Sequence, residues 1–208
     1  DRIRYYASGS ALTQDGVVAS QSYRRLNGRI NLDYDPIDRL SLGTNVALTR
    51  SIYERAPADN NIYSPWANSL ADPPIQPVYN EDGSWFDPIY ANPVAMIYER
   101  EAQDRGVRIL GNAFAAYTMW EGITGRVSFG LDNMSLRGRA YDSPVYGPAQ
   151  GSGGQADATH SYVNKLTYEA RVNLDRTLWN RHAVSGVVGT SYEENLNEGL
   201  EVQGQQFP

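Results

Sequence analysis

Apolar and polar side chains alternate over long stretches of the sequence, and this period of two constrains the fold more than any other feature. In residues 40–48 the even positions carry Leu, Val or Thr, while the odd positions carry Ser, Gly, Asn and Ala. Residues 26–34 alternate in the same way. Successive side chains of a β-strand point to opposite faces, so each stretch predicts a strand with one apolar face. Residues 34–38, Tyr-Asp-Pro-Ile-Asp, predict a tight turn between them and therefore a hairpin.

Five further stretches are strand-like. The alternation is clear in residues 123–132 and 162–175 and weaker in residues 182–192. Residues 108–120 are strand-like without clear faces, and residues 2–12 are strand-like and end at the turn signal of residues 14–16. The total is about seven strands of roughly 11–15 residues, which is long against the ~5–6 residues usual in globular sheets. A membrane strand needs ~9–11 residues to cross the hydrocarbon. The sequence therefore predicts an all-β fold and favours an antiparallel transmembrane β-barrel segment.

The connections between the predicted strands alternate in length. Residues 35–38, 120–122 and 176–181 are short, whereas residues 52–107 and 138–160 are long. Barrels of the outer membrane have short periplasmic turns and long extracellular loops, so residues 52–107 and 138–160 are predicted to be extracellular loops.

The number of predicted strands is odd, whereas bacterial single-chain barrels have an even number. Residues 199–206 are a candidate eighth strand, but they lack an apolar face. The chain is therefore expected to be either a marginal small barrel or part of a larger one. A soluble β-sandwich, with its long loops at either end, is the alternative.

Composition narrows the classes of function. The chain has 24 acidic and 18 basic residues, a formal charge of −6 and a pI near 4.9, which disfavours binding to nucleic acid. A mean hydropathy of −0.52, without apolar runs near ~18 residues, excludes a helical membrane protein. There is no Cys, and the two His, His160 and His182, have no partner at ligand spacing. No nucleophile or phosphate-loop motif occurs. We predict no catalytic residue, no metal, no cofactor and no enzyme activity; a calcium site at Asp72, Asn80 or Asp82 is the weaker alternative.

The polar faces of the predicted strands carry the residues expected to face a hydrated lumen. In a barrel, the apolar face contacts lipid and the other face lines the interior. The lumen candidates are Arg25, Asn27, Arg29, Asn31 and Asp33 in the first hairpin, and Arg126, Lys165, Glu169, Arg171 and Asn173 further along the chain.

Aromatic side chains concentrate near the predicted strand ends. Tyr23 and Tyr34 are eleven residues apart, and eleven residues at ~3.3 Å each and a tilt of ~40° cover about 28 Å. That height favours two aromatic girdles, although Tyr also simply prefers strands. One girdle comprises Tyr34, Trp120 and Trp179 at the short turns, and the other comprises Tyr23, Tyr53, Tyr141, Tyr162 and Tyr192 at the long loops.

The first long loop contains a group of aromatic residues that are candidates for contacting a substrate or a partner. Aromatic rings stack on sugars and fill partner pockets, but a loop of this length also needs a small core of its own. Ser64-Pro65 and Asn92-Pro93 each predict the start of a short helix. The aromatic candidates are Tyr63, Trp66, Tyr79, Trp85, Phe86 and Tyr90.

Several segments, taken in order, resemble the SusC/RagA family of TonB-dependent outer-membrane transporters. The resemblance runs through almost the whole chain, and it rests on order and spacing because no single motif is specific. The matching segments are residues 6–9 (YASG), 14–17 (QDGV), 23–32 (YRRLNGRINL), 40–45 (LSLGTN), 73–79 (PPIQPVY), 82–83 (DG) and 92–95 (NPVA).

The resemblance implies a plugged barrel of about 22 strands in the bacterial outer membrane. Such a barrel imports oligosaccharides or peptides with energy from TonB, and a SusD-like lipoprotein serves as its lid. Residues 1–208 are then expected to be a partial receptor barrel without its plug. Because residues 29–33 and 171–175 share the pattern R-[IV]-N-L-D, we hypothesise that Arg29 and Arg171 help to seat the plug. A small passive porin-like or adhesin barrel and a soluble carbohydrate-binding β-sandwich are the alternatives.

Overall fold

A computed structural model describes residues 2–56, 62–179 and 181–207. These residues form one antiparallel sheet in which seven strands lie side by side in chain order. The all-β fold class predicted from the sequence is confirmed. The strands are β1 (Ile3–Asp15), β2 (Ser22–Ile37), β3 (Leu40–Glu54), β4 (Arg100–Trp120), β5 (Ile123–Asp142), β6 (Gln155–Leu178) and β7 (His182–Gln205).

The strands are longer than the sequence pattern predicted, at 13 to 24 residues. The first long connection therefore comprises residues 55–99 rather than 52–107, and the second comprises residues 143–154 rather than 138–160. The regular apolar alternation stops inside β5, β6 and β7, but backbone pairing continues through segments in which no face is uniformly apolar. Residues 199–205 continue β7 and do not form an eighth strand, because they pair in unbroken register with β6.

The turn of the first hairpin also differs from the prediction. Residues 34–38 were expected to form it, whereas β2 continues to Ile37 and the turn lies at residues 38–39. The register between β2 and β3 shifts between Tyr34 and Ile37. A bulge of this kind accommodates the extra residues, and Pro36 lies within it.

The pairing register assigns side chains to the two faces of the sheet, since directly opposed residues share a face. Val46 lies opposite Ile30 and Gly111, while Asn45 lies opposite Asn31 and Asn112. Continued across the sheet, this register gathers the apolar positions on one surface, which we call the apolar band. The band consists of alternate residues, none of them charged, within residues 3–11, 26–34, 40–48, 107–117, 123–131, 166–174 and 184–192 of β1 to β7. The opposite surface, the polar face, carries most of the charged side chains between these limits.

The apolar band is exposed along its length rather than packed against a second layer. Among its members, Tyr5, Ile30 and Val188 are 82%, 60% and 72% exposed. β1 and β7 are the two edges of the sheet within the described residues, and each pairs with one neighbour. The sheet is therefore an open, curved wall, as expected for a segment of a larger barrel.

The register also corrects the aromatic girdle at the long-loop end. Tyr141, Tyr162 and Tyr192 share the surface of the apolar band, but Tyr23 and Tyr53 lie on the polar face. Their rings contact each other edge to face, with centroids 6.2 Å apart. Sequence spacing placed these two residues at the correct height but on the wrong face.

Buried apolar side chains lie mainly outside the sheet, in the two long connections. These contain helix α1 (Pro65–Ala71), helix α2 (Pro93–Tyr98) and a single 3₁₀ turn (Gln150–Ser152). The core consists of Ala95, Met96 and Tyr146, which have 7% exposure or less. Among the described residues, no helix has the length and apolar character to cross a membrane.

Candidate functional site: the polar face and the loop unit

All ten lumen candidates lie on the polar face. Side chains on this face hydrogen bond across neighbouring strands: Asn27 Nδ2 donates to Ser10 Oγ at 3.0 Å, and Thr49 Oγ1 donates to Asn27 Oδ1 at 3.0 Å. Asn45 Nδ2 donates to Asn112 Oδ1 at 2.9 Å. These bonds tie four strands together through side chains as well as backbone, which orders the polar surface.

Charges of alternating sign cross the same face from β4 to β7. Arg108 donates two hydrogen bonds to the Asp132 carboxylate, at 2.8 and 2.6 Å, and Lys165 Nζ lies 2.9 Å from Glu193 Oε1. Charge-assisted bonds in which both carboxylate oxygens accept from one guanidinium are strong and directional. Sequence reasoning did not include Arg108, although its place in a strand next to apolar Val107 and Ile109 was an available signal.

Arg126 makes a different kind of contact from these ion pairs, because its guanidinium lies over an aromatic ring. Its guanidinium carbon lies 3.6 Å from the centroid of Phe114, within the range of a cation–π contact. The ring of Phe114 occupies the space above Gly43, where a Cβ would come within 2.2 Å of it. Any larger residue at position 43 would displace the ring and the arginine that rests on it.

Two shallow cavities indent the polar face. The larger has a volume of about 560 Å³ and brings Arg29 and Lys165 together with Asp132 and two asparagines, Asn45 and Asn112. The smaller has a volume of about 270 Å³, and it brings together Arg126, Glu169 and Arg171. The other five lumen candidates, Arg25, Asn27, Asn31, Asp33 and Asn173, line neither cavity.

The described parts of the two long connections, residues 62–99 and 143–154, form the loop unit. Both of its helices begin as the sequence predicted. Ser64 Oγ accepts from the Ala67 N–H, and Asn92 Oδ1 accepts from Val94 and Ala95 N–H at 3.1 and 3.3 Å. Proline occupies the first position of each helix, where a missing N–H costs nothing.

Asn92 also organises the loop in front of α2. Its Nδ2 donates to the carbonyl oxygens of Val78 and Phe86, at 2.9 and 3.1 Å. The buried amide of Asn92 therefore caps α2 and also binds the backbone of the preceding loop at two places. A buried amide with all these partners is well satisfied, and its loss would leave several buried polar groups unpaired.

Tyr146 joins the second connection to the first. Its hydroxyl accepts from the backbone N–H of Asn92 at 2.9 Å and donates to Asp87 Oδ1 at 3.3 Å. Its ring packs on Ala95 and Met96. Burial raises the pKa of the Tyr146 hydroxyl, so it remains protonated as a donor at neutral pH. The role of Tyr146 does not follow from the sequence, because nothing local indicates a contact across more than fifty residues.

The six aromatic candidates of the loop divide into two groups. Trp85 stacks on Tyr79 with centroids 4.8 Å apart, its Nε1 donates to Glu99 Oε1 at 2.8 Å, and with Tyr63 it packs against the core. Phe86 is partly buried. Trp66 and Tyr90 are 43% and 49% exposed. Some of the aromatics therefore form the loop's own core, while others, Tyr79 included, present accessible ring surface.

A cavity of about 440 Å³ lies where the two connections meet. It is lined by Tyr63, Asp87, Ile89, Tyr90 and Tyr146, among others. Its walls are aromatic and aliphatic with one carboxylate and two amide side chains, those of Asn68 and Gln150, and Ile89 is 92% exposed at its edge. This composition suits an apolar or aromatic group of a ligand or partner better than an ion.

The three residues weighed for calcium are separated: Asp72 caps the C-terminus of α1, whereas Asn80 and Asp82 take part in a turn. Asp82 Oδ1 accepts from the N–H and the hydroxyl of Ser84, and these bonds lower the pKa of Asp82. Asn80 Nδ2 donates to Ser84 Oγ and to the Trp85 carbonyl. Among the described residues, no three acidic or histidine side chains come together as a metal site would require.

Two proteins resemble the chain in sequence along its whole length. TonB-dependent receptor P3 of Formosa agariphila is 24% identical over 217 residues, covering 100% of this chain and 22% of the receptor. TonB-dependent receptor P26 of the same organism is 25% identical over 212 residues, covering 97% of this chain and 20% of that receptor. The chain thus spans about one fifth of the length of these relatives. No protein-family model matches it.

Solved structures show the same fold. The RagAB peptide importer in its closed–closed state matches 100% of this chain and 24% of the importer chain, with a TM-score of 0.81 and 17% identity. The open–open state matches 98% of this chain with a TM-score of 0.79. The solved structures show the fold, an antiparallel sheet like that of the importer's barrel, and the sequence relatives are named as receptors, not enzymes. In sequence and in fold, the chain resembles a barrel segment of a SusC/RagA-like TonB-dependent receptor.

Proposed function

We propose that the chain forms part of the barrel wall of an outer-membrane importer of nutrients. The observation that carries the proposal is the apolar band, which stays in register over seven strands while charged side chains occupy the other face. A band of about nine residues at ~3.3 Å each and a tilt of ~40° is about 23 Å tall, close to the ~25 Å of known barrels. The band then faces lipid, and the polar face lines the lumen.

On this proposal the polar face receives a plug. The two cavities of the polar face support it, because they offer charged and amide side chains on a concave surface. Arg29 lines the larger cavity and Arg171 the smaller, so the two arginines of the repeated motif are placed to hold different parts of the plug. The plug supplies the contact with TonB, which powers import.

The loop unit lies on the extracellular side in this proposal and meets the substrate and a SusD-like lid lipoprotein. Its exposed aromatic and aliphatic side chains support such contacts, since aromatic anchors dominate many interfaces. The substrate class is an oligosaccharide or a peptide. The structural neighbours named as a peptide importer favour the peptide, whereas the exposed rings of Trp66 and Tyr90 suit either class.

The experiment is cysteine labelling of the native-length receptor that carries this chain, in its own outer membrane. This chain has no Cys of its own, so each introduced thiol within it is unique here. Val46→Cys and Val127→Cys lie in the apolar band, and their neighbours Asn45→Cys and Ser128→Cys lie on the polar face. A lipid-soluble maleimide is expected to label the first pair and a water-soluble maleimide the second.

The neighbouring positions are matched controls, because they differ by one residue in height and by the face they occupy. Equal labelling of all four thiols by the water-soluble reagent would contradict the proposal and favour a soluble sandwich. The expected pattern in a protein that also conducts solute without TonB would favour the passive porin-like barrel.

A further inference from the structure

Five arginines cluster on the surface of the sheet that carries the apolar band, just beyond its long-loop edge. Arg24, Arg50 and Arg105 each stand two positions past the last apolar member of β2, β3 and β4. Arg137 and Arg139 continue the cluster on β5, six and eight positions past the last apolar member of that strand, and Arg137 is brought beside Arg105 by the register. We call these five residues the arginine patch. Four adjacent strands span about 14 Å, so the charges are concentrated in a small area.

The register brings like charges directly together within the patch. Arg105 lies opposite Arg137 in the β4–β5 ladder. Like charges in opposed positions destabilise a sheet. All five arginines are exposed, and none has an ion-pair partner among the described residues, although Arg4, Arg55, Arg100 and Arg108 do. Asp15, Glu54 and Glu101 lie on the same surface beside the patch, so five arginines face three carboxylates and positive charge is in excess.

Glu54 offsets part of the charge of the patch without forming an ion pair with any of its arginines. Glu54, on the same surface, accepts from the hydroxyl of Ser22 and from Gln103 Nε2. Arg105 Nε donates to Gln103 Oε1, which leaves its terminal nitrogens available. Ile52 lies between Arg24 and Arg105 in the same row, and Val107 lies opposite Arg50. The arginines are thus interleaved with apolar side chains, as an amphiphilic ligand requires.

We propose that the arginine patch binds the phosphate groups of a phosphorylated, acylated glycolipid of the outer leaflet, whose acyl chains lie on the apolar band. The inference rests on the proposed membrane orientation of the wall. Three arginines, about 5 Å above the edge of the band, stand at the level where lipid phosphates meet hydrocarbon. Arginine suits phosphate because its planar fork forms paired hydrogen bonds. Arg137 and Arg139 are placed for charges further out in the same headgroup.

The test uses the native-length receptor, stripped of lipid in detergent and then incubated with the purified phosphorylated glycolipid or with the same lipid after enzymatic dephosphorylation. Native mass spectrometry measures the lipid that each protein retains. The patch variant R24Q/R105Q/R137Q removes three charges from the patch. The control variant R39Q/R176Q/R181Q removes three charges from the short-turn end of the sheet, away from the patch.

Wild-type protein and the control variant are expected to retain the phosphorylated lipid at least about tenfold better than the patch variant, since each arginine near an anionic surface contributes about fivefold. Equal retention of the two lipids by wild-type protein, or equal retention of the phosphorylated lipid by the two variants, would overturn the proposal. Heat-modifiable migration on gels shows that each variant is folded.

The lipid-retention experiment can fail independently of the cysteine-labelling experiment that tests the membrane orientation. If the thiols at Val46 and Val127 label from lipid but the patch variant retains lipid normally, the membrane orientation stands and the patch proposal fails. If those thiols label from water, the orientation itself fails.

Discussion

The sheet and the loop unit are ordered by different kinds of interaction. In the sheet, backbone pairing extends over strands of up to 24 residues, and the apolar side chains remain exposed for an external solvent to cover. In the loop unit, three buried side chains and a set of side-chain-to-backbone hydrogen bonds hold short helices in place. The sheet tolerates changes that keep the alternation, whereas the loop unit depends on individual residues.

The largest effect is expected from a charge in the apolar band. Val127→Arg in the native-length receptor should lower the free energy of unfolding by about 2–4 kcal/mol, because the guanidinium would face the middle of the hydrocarbon. Chemical unfolding of the receptor in lipid vesicles measures the change. Ser128→Arg, one residue away on the polar face, is the matched control and should have little effect. Similar losses in both variants would mean that the two surfaces do not differ in environment.

An intermediate effect is expected within the loop unit. Asn92→Ala removes the cap of α2 and the bonds to Val78 and Phe86, so the local stability of residues 78–98 should fall by about 1–2 kcal/mol. Hydrogen exchange of the α2 amides measures the loss, while amides of β5 and β6 should be unchanged. Asn92→Asp keeps the capping oxygen and should retain part of the protection. Faster exchange in β5 would show instead that the two regions unfold together.

The smallest effect is expected where the two connections meet. Tyr146→Phe keeps the ring on Met96 but leaves the Asn92 N–H without its acceptor, at a cost of about 1 kcal/mol. Limited proteolysis should cut residues 143–154 of the variant several times faster. Tyr117→Phe, at an exposed position of the apolar band, is the control. Unchanged cleavage of the Tyr146 variant would show that ring packing alone holds the connections together.

The sequence predicted the strands well where one face is apolar, and poorly elsewhere. Residues 26–34 and 40–48 alternate so regularly that their pairing and faces followed from the sequence alone. Residues 193–205 of β7 did not, because Glu occupies both faces there and only pairing with β6 orders them. The aromatic pair Tyr23 and Tyr53 was assigned to the wrong surface because a height along a strand does not specify a face.

In the loop unit, short sequence signals predicted the helix starts but not the contacts between distant segments. Ser64-Pro65 and Asn92-Pro93 located both helix starts, since capping involves residues within one turn. The tie from Tyr146 to Asn92 bridges 54 positions, and the arginine patch depends on a register that no single strand reveals. Both became visible only when distant segments lay side by side.

The extension of β5 beyond the apolar band has a consequence for how this surface meets its environment. The strand continues from residue 132 to residue 142 after its last apolar member, which is a rise of about 28 Å at the usual tilt. In the proposed membrane orientation, the extended end of β5 therefore holds the attached part of the loop unit well above the lipid surface. A solute that approaches from outside would contact the loop unit before it reached the sugar-bearing headgroups of the lipid. The solute could therefore reach the mouth of the barrel without displacing those sugars.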